Sequence, residues 1–117
     1  MSTPTFPKEV LVNGRTMQVK LRPPHKMGTA AGWFLANQGL IEISKGQDTD
    51  EQKDTLLHEV FHALLHTQGR EYGGEEEELY VRALATGFIG LLKGDPEFIQ
   101  WLVASPTNER EINEQSF

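Results

Sequence analysis

The chain has 117 residues, enough for one small domain, and its 38% hydrophobic and 24% charged residues are ordinary for a globular protein. A formal net charge of −6 argues against nucleic acid as the main partner. The absence of cysteine excludes disulfides, thiolate zinc ligands and a cysteine nucleophile, so that any zinc site must use histidines and carboxylates. The first residues lack a secretory signal pattern and no apolar run approaches a membrane span, so we expect a cytoplasmic protein with no membrane partner.

The first half of the sequence predicts a small sheet. Residues 1–7 include Pro4 and Pro7 and predict a flexible arm. Asn13-Gly14 is typical of a two-residue hairpin turn between β-rich runs. Alternating polar and apolar residues then predict two pairs of strands, over 9–12 and 16–21 and over 32–36 and 40–44. We expect a mostly antiparallel sheet of three or four strands.

Three helices are predicted after the sheet. The first begins near Asp48, where capping boxes can start at Asp48 or at Thr49, and it ends near Gln68 before Gly69. Its apolar stripe consists of Leu57, Val60, Phe61, Leu64 and Leu65.

The second helix is predicted from about Glu75 to Lys93, with an apolar stripe of Val81, Leu84, Ala85, Phe88, Leu91 and Leu92. Asp95-Pro96 begins the third helix as N-cap and first residue. We therefore predict an α+β fold, with a single domain over 8–104 and a C-terminal tail over 105–117.

The motif His58-Glu59-Val60-Phe61-His62 carries the functional prediction. Two histidines at i and i+4 lie on one face of a helix, where both rings can reach one zinc ion. Glu59 lies beside the first ligand and is the natural general base for a bound water. Two histidines and a glutamate inside an apolar helical pattern are costly to bury without a role, which favours a metal site over chance.

The third ligand is expected from the second helix, whose first turn contains Glu75, Glu76, Glu77 and Glu78. Glu77 shares the stripe of Val81 and Leu84 and is the first choice, with Glu78 second. His66 is a poor candidate, because three ligands along one straight helix would span about 12 Å. A hydrogen-bonded role near the site suits His66 better.

The segment from His58 to His66 resembles the His-Glu-x-x-His-x-x-x-His segment common in ImmA/IrrE-type metallopeptidases and is similar to that of small phage-encoded zincin proteins. The resemblance covers roughly residues 30 to 100. It implies a minimal zincin-like fold and a gluzincin-like site: His58 and His62 as ligands, Glu59 as general base and a glutamate at 77 or 78. The second helix departs from the family pattern of Glu-Ala-Asn/Asp-x-Phe-Ala, since it reads Glu77-Glu78-Leu-Tyr-Val-Arg.

Three functions follow from these residues. The first is a zinc metallopeptidase acting on a protein or peptide, in which Tyr72 or Tyr80 can stabilise the oxyanion. The second is a zinc-binding structural or regulatory module on the same scaffold, without turnover. The third is a metal-free helical interaction domain. In an enzyme, the strand over 32–36 is an edge that can pair with an extended substrate.

Overall fold

A four-stranded mixed sheet forms one layer of the fold. The structure is a computed structural model and describes residues 5–104. The strands are β1 (Glu9–Val12), β2 (Arg15–Arg22), β3 (Gly32–Leu35) and β4 (Leu40–Ser44), in the order β1-β2-β4-β3. The β1–β2 and β3–β4 pairs are antiparallel, and β2–β4 is parallel. Short 3-10 turns occupy Pro24–Lys26 and Ala36–Gln38.

The hairpin turn and the first helix cap form as predicted. Asn13 and Gly14 both have positive φ, which a two-residue hairpin of this twist requires. Of the two candidate capping boxes, the one at Asp48 forms: the Asp48 side chain accepts from the Glu51 N–H, and the Glu51 carboxylate accepts from the Asp48 N–H.

The helices are α1 (Thr49–Thr67), α2 (Gly74–Gly94) and α3 (Pro96–Leu102). The predicted α+β class, with four strands and three helices, is confirmed. None of these helices in residues 5–104 combines the length and the apolar character needed to cross a membrane.

Helix α1 packs on one face of the sheet. The core between them contains Val12, Met17, Val19, Ile41, Ile43 and Ala63, with Leu56, Val60 and Leu64 of α1 against it. Phe6, at the end of the predicted arm, also packs there. The face of α1 toward the sheet is therefore centred on Ala63, whereas the predicted stripe also included Leu57, Phe61 and Leu65.

The chain forms two compact units, residues 1–86 and 87–117. The first holds the sheet, α1 and the part of α2 up to Thr86. In the second, the Asp95 carboxylate accepts from the Phe98 N–H at 3.1 Å, which confirms the predicted cap of α3. A single domain over 8–104 stays a prediction, and the tail over 105–117 and the first four residues of the arm lie outside the described residues.

Helix α2 buries Val81 and Ala85, at 1% exposure each, but Leu84 is 63% exposed. The prediction that Leu84 faces the core is therefore wrong. Glu77 is buried together with Val81 and Ala85, so the inward face of α2 is the i, i+4, i+8 row through these residues. Leu84 is one residue before Ala85 and lies about 100° away around the helix.

Gly32 allows β3 to approach α1 closely, and we predict that Gly32→Ala is destabilising. A Cβ built at this position would lie 2.7 Å from Thr55 Cγ2 and 3.0 Å from Ile43 Cδ1. We expect a loss of about 1–3 kcal/mol in the free energy of unfolding, measured by urea denaturation. The control is Gly90→Ala, where a Cβ meets nothing within 4 Å and the helix gains up to about 1 kcal/mol. Equal stability of Gly32→Ala and wild type would show that this contact is not tight.

Candidate metal centre

The two motif histidines of helix α1 face the start of α2, beside the face of α1 that packs on the sheet. Ala63 is fully buried against the sheet, while the His58 and His62 side chains are 15% and 14% exposed. Their Nε2 atoms lie 3.2 Å apart, and the two rings meet edge to face. The i, i+4 spacing therefore brings both imidazoles to one point, as predicted.

Glu78 of α2 completes a cluster with these histidines. One carboxylate oxygen lies 2.5 Å from His58 Nε2, and the other lies 3.1 Å from His62 Nε2. The ligand atoms of the three residues all lie within 4.8 Å of one another. His58, His62 and Glu78 therefore form a cluster that could hold a metal ion.

The cluster has nearly the dimensions of a tetrahedral metal site. Ligand atoms bound at about 2.0–2.1 Å to a tetrahedral zinc ion lie about 3.3 Å from one another. His62 Nε2 lies 3.2 Å from His58 Nε2 and 3.1 Å from Glu78 Oε2, and both distances are close to this value. The distance of 2.5 Å between His58 Nε2 and Glu78 Oε1 is shorter, because these two atoms share a hydrogen bond. A small separation of His58 and Glu78 would suffice for all three to bind.

Glu77 binds the opposite nitrogen of His62. Its Oε2 lies 2.6 Å from His62 Nδ1, and because a carboxylate only accepts, Nδ1 is the donor. In the neutral ring, Nε2 then has a lone pair that points at the cluster. The lone pair faces an oxygen of the Glu78 carboxylate at 3.1 Å, so that two acceptors point at each other, an arrangement that favours a cation between them.

The cluster thus contains the second choice for the third ligand, Glu78, and the first choice, Glu77, lies behind His62. Glu77, the first choice as third ligand, is buried as predicted but orients His62, and Glu78, the second choice, enters the cluster. The physical reason is the depth of the cluster in the protein. It lies at the edge of the cavity, where the Glu78 side chain is 41% exposed, whereas the Glu77 side chain is 8% exposed and lies deeper than the cluster.

Glu77 also anchors the link between the helices. Its Oε1 accepts from the backbone N–H groups of Tyr72 and Gly73 at 2.9 and 3.1 Å. Burial by itself raises the pKa of Glu77, but these two N–H groups and the His62 ring outweigh it and hold the pKa below its usual range. Glu77 is therefore a charged, fully engaged acceptor.

Glu59 lies beside the cluster and is only 7% exposed. Burial raises the pKa of Glu59 to about 7, with a smaller lowering effect from His62. Burial also lowers the pKa of His58, against the raising effect of Glu78, which favours the neutral imidazole that binds metals. A carboxyl group that titrates near neutrality can both accept and donate a proton.

A cavity of about 350 Å³ opens beside the cluster and is lined by residues of three segments. They are Ala31 and Gly32 before and in β3, Asp54, Thr55, His58 and Glu59 of α1, and Glu78, Arg82 and Thr86 of α2. Asp54 and Arg82 are not among the site residues predicted from the sequence. A signal was available, since Asp54 precedes His58 and Arg82 follows Glu78 by four residues, one turn along the same helix face.

The remaining predicted site residues lie outside this cavity. Tyr72 and Tyr80 are 73% and 58% exposed and do not line it, although the Tyr72 backbone contacts Glu77. His66 pairs with Glu71 at 2.6 Å and packs edge-on against Phe34, as expected of a hydrogen-bonded structural histidine.

Comparisons with protein-family models, with curated proteins and with solved structures found no match. Any function of this chain must therefore be inferred from the residues of the site itself.

We predict that three substitutions in the first turns of α2 affect metal binding differently. Glu78→Gln removes a ligand and should lower zinc affinity the most. Glu77→Gln leaves the ligands in place but weakens the orientation of His62, with a loss of roughly 10–100-fold. The exposed neighbour in Glu76→Gln serves as control and should bind zinc as wild type does. Titration against a competing chelator measures all three, and a larger loss in Glu77→Gln than in Glu78→Gln would contradict the assignment.

An ion bound at the cluster should stabilise the fold, and zinc serves as the probe. At free zinc about 100 times the dissociation constant, binding adds about 2.7 kcal/mol, which raises the melting temperature by roughly 10 °C or more. Melting is followed by circular dichroism with zinc and with a chelator. His62→Ala should lose the shift, and His25→Ala, which changes an exposed histidine in a 3-10 turn, should keep it. A shift that survives in His62→Ala would place the ion elsewhere.

Proposed function

We propose that this protein is a zinc-dependent metallopeptidase. The observation that carries the proposal is the convergence of His58, His62 and Glu78 at a cavity whose wall includes the buried Glu59. Two imidazoles, one carboxylate and an open side are the donor set of catalytic zinc sites. Magnesium and calcium prefer oxygen ligands, so the two imidazoles favour zinc among the common ions.

The chemistry is divided between the ion and the chain. Bound zinc supplies a Lewis acid that lowers the pKa of a water molecule and polarises a carbonyl group. Glu59, whose pKa burial raises to about 7 in the site without an ion, is placed to accept the proton of such a water and would pass it to the leaving amine. Glu77 keeps the His62 ring in the orientation and tautomer that the site needs.

An extended peptide is the substrate that the surroundings of the site favour. Strand β3 is at the edge of the sheet, and Gly32, its first residue, lines the cavity beside the cluster. An edge strand offers backbone N–H and C=O groups to a further chain. A peptide paired with β3 would pass next to Glu59.

A zinc-binding structural or regulatory module is the second candidate. The contacts from Glu77 and Glu78 to His58 and His62 join the start of α2 to α1, so an ion at this point would also tie the two helices together. In a small domain such a tie contributes to folding directly. This role needs the ligands but does not need Glu59.

We predict that Glu59→Gln abolishes peptide cleavage while leaving zinc bound. Loss of a general base typically lowers the rate by 10²–10⁴-fold. Cleavage of a peptide library by the zinc-loaded protein is measured by mass spectrometry, with zinc content by elemental analysis. Cleavage that is equal in wild type and Glu59→Gln contradicts the peptidase. A wild type that binds one zinc and cleaves nothing supports the structural module instead.

A further inference from the structure

Arg82 is the one cationic side chain among the residues that line the cavity. It follows Glu78 by one turn on α2, and its Nη2 lies 3.7 Å from Glu78 Oε1, the same oxygen that contacts His58. The guanidinium group is therefore held beside the cluster, on the side that opens into the cavity.

The contact with Glu78 leaves the donors of Arg82 available. A separation of 3.7 Å is too long for a hydrogen bond, and within residues 5–104 this is the one ion pair that Arg82 forms. A guanidinium group has five N–H donors in a planar fork, and the Arg82 side chain is 66% exposed. A ligand in the cavity can accept these hydrogen bonds without breaking others.

The other polar side chains of the cavity are engaged or are acceptors. The Thr55 hydroxyl lies 2.6 Å from the Gln47 amide oxygen, and the Thr86 hydroxyl lies 3.4 Å from Asp54 Oδ1. Asp54 and Glu78 contribute carboxylates. The rings of Tyr72 and Tyr80, the donors expected from sequence, do not line the cavity. Arg82 is the permanently cationic donor of the cavity and the group that best meets negative charge on a ligand.

We propose that Arg82 is the anion-binding residue of this cavity. Its guanidinium group binds an anionic oxygen of the ligand beside the metal centre, either a carboxylate or the oxyanion that develops on a substrate carbonyl under attack. The inference rests on the proposed function for the presence of a metal at the cluster. It adds a residue and a ligand class that the motif does not contain.

A different role for Arg82 makes a different prediction. If the side chain only neutralises Glu78, as surface pairs at i, i+4 do, its loss would change the affinity for the metal and leave anion binding to the loaded site unchanged. Metal affinity and anion affinity, measured separately, distinguish the two roles.

In the first experiment the protein is loaded with one equivalent of Co²⁺, and acetate is added as the anionic probe. Acetate binding is measured from the change in the visible absorption bands of the ion. We expect Arg82→Met to weaken acetate binding at least tenfold, and Arg82→Lys to recover part of the loss, because lysine keeps the charge but not the fork. Lys53→Met, which removes the same charge at an exposed position of α1 outside the cavity, should stay within twofold. Imidazole, a neutral ligand, should bind equally to all variants.

Two results overturn the inference. One is acetate binding by Arg82→Met that equals wild type. The other is a tenfold or larger loss of metal affinity in Arg82→Met, which would assign Arg82 to the support of Glu78. If the wild type binds acetate through Arg82 but cleaves no peptide, the anion site stands and the peptidase does not. If the wild type and Arg82→Met cleave peptides equally and bind acetate equally, the peptidase stands and the anion site does not.

Cleavage of matched peptides with free and amidated C-termini distinguishes the two anions. If Arg82 binds the substrate carboxylate, Arg82→Met should raise the KM of the peptide with a free C-terminus and leave the KM of the amidated peptide unchanged. An oxyanion role predicts a lower kcat for both peptides. Either pattern supports Arg82 as the anion-binding residue.

Discussion

The contact between Glu77 and Nδ1 of His62 is the interaction on which the site depends. It fixes which ring nitrogen of His62 carries the proton, and so turns the Nε2 lone pair toward His58 and Glu78. The same carboxylate accepts from the backbone of Tyr72 and Gly73, which ties the link between the helices to α1. One buried charge thus orients the His62 ring and sets where α2 begins relative to that ring.

Close packing beneath the site places the motif helix against the sheet. Ala63 is fully buried, and Gly32 leaves no room for a Cβ next to Thr55. Small residues at these two positions let α1 lie near β3 and β4. His58 and Glu59 of the same helix line the cavity beside this packed region, and the burial of Glu59 raises its pKa to about 7.

The surroundings of two buried carboxyl groups near the cluster shift their pKa values in opposite directions. Glu77 is stabilised as an anion by three hydrogen bonds, while Glu59 has lost most of its hydration. The pKa values of two carboxyl groups of similar intrinsic acidity are therefore shifted apart by their surroundings, as is common where neighbouring carboxyl groups have different acid–base roles. Arg82 adds a cation at the open side, where it is solvated and not enclosed.

Local features of this protein were determined by the sequence alone. The turn at Asn13-Gly14, the capping box at Asp48 and the approach of His58 to His62 each depend on residues within a few positions of one another, so backbone geometry decides them. The choice between Glu77 and Glu78 is of another kind. Adjacent residues on a helix differ by about 100° in direction, and which of them meets the histidines depends on how α2 lies against α1. The same packing exposes Leu84 and brings Arg82 to the cavity. Only the tertiary structure decided these points, because they depend on contacts between side chains that are distant in the chain.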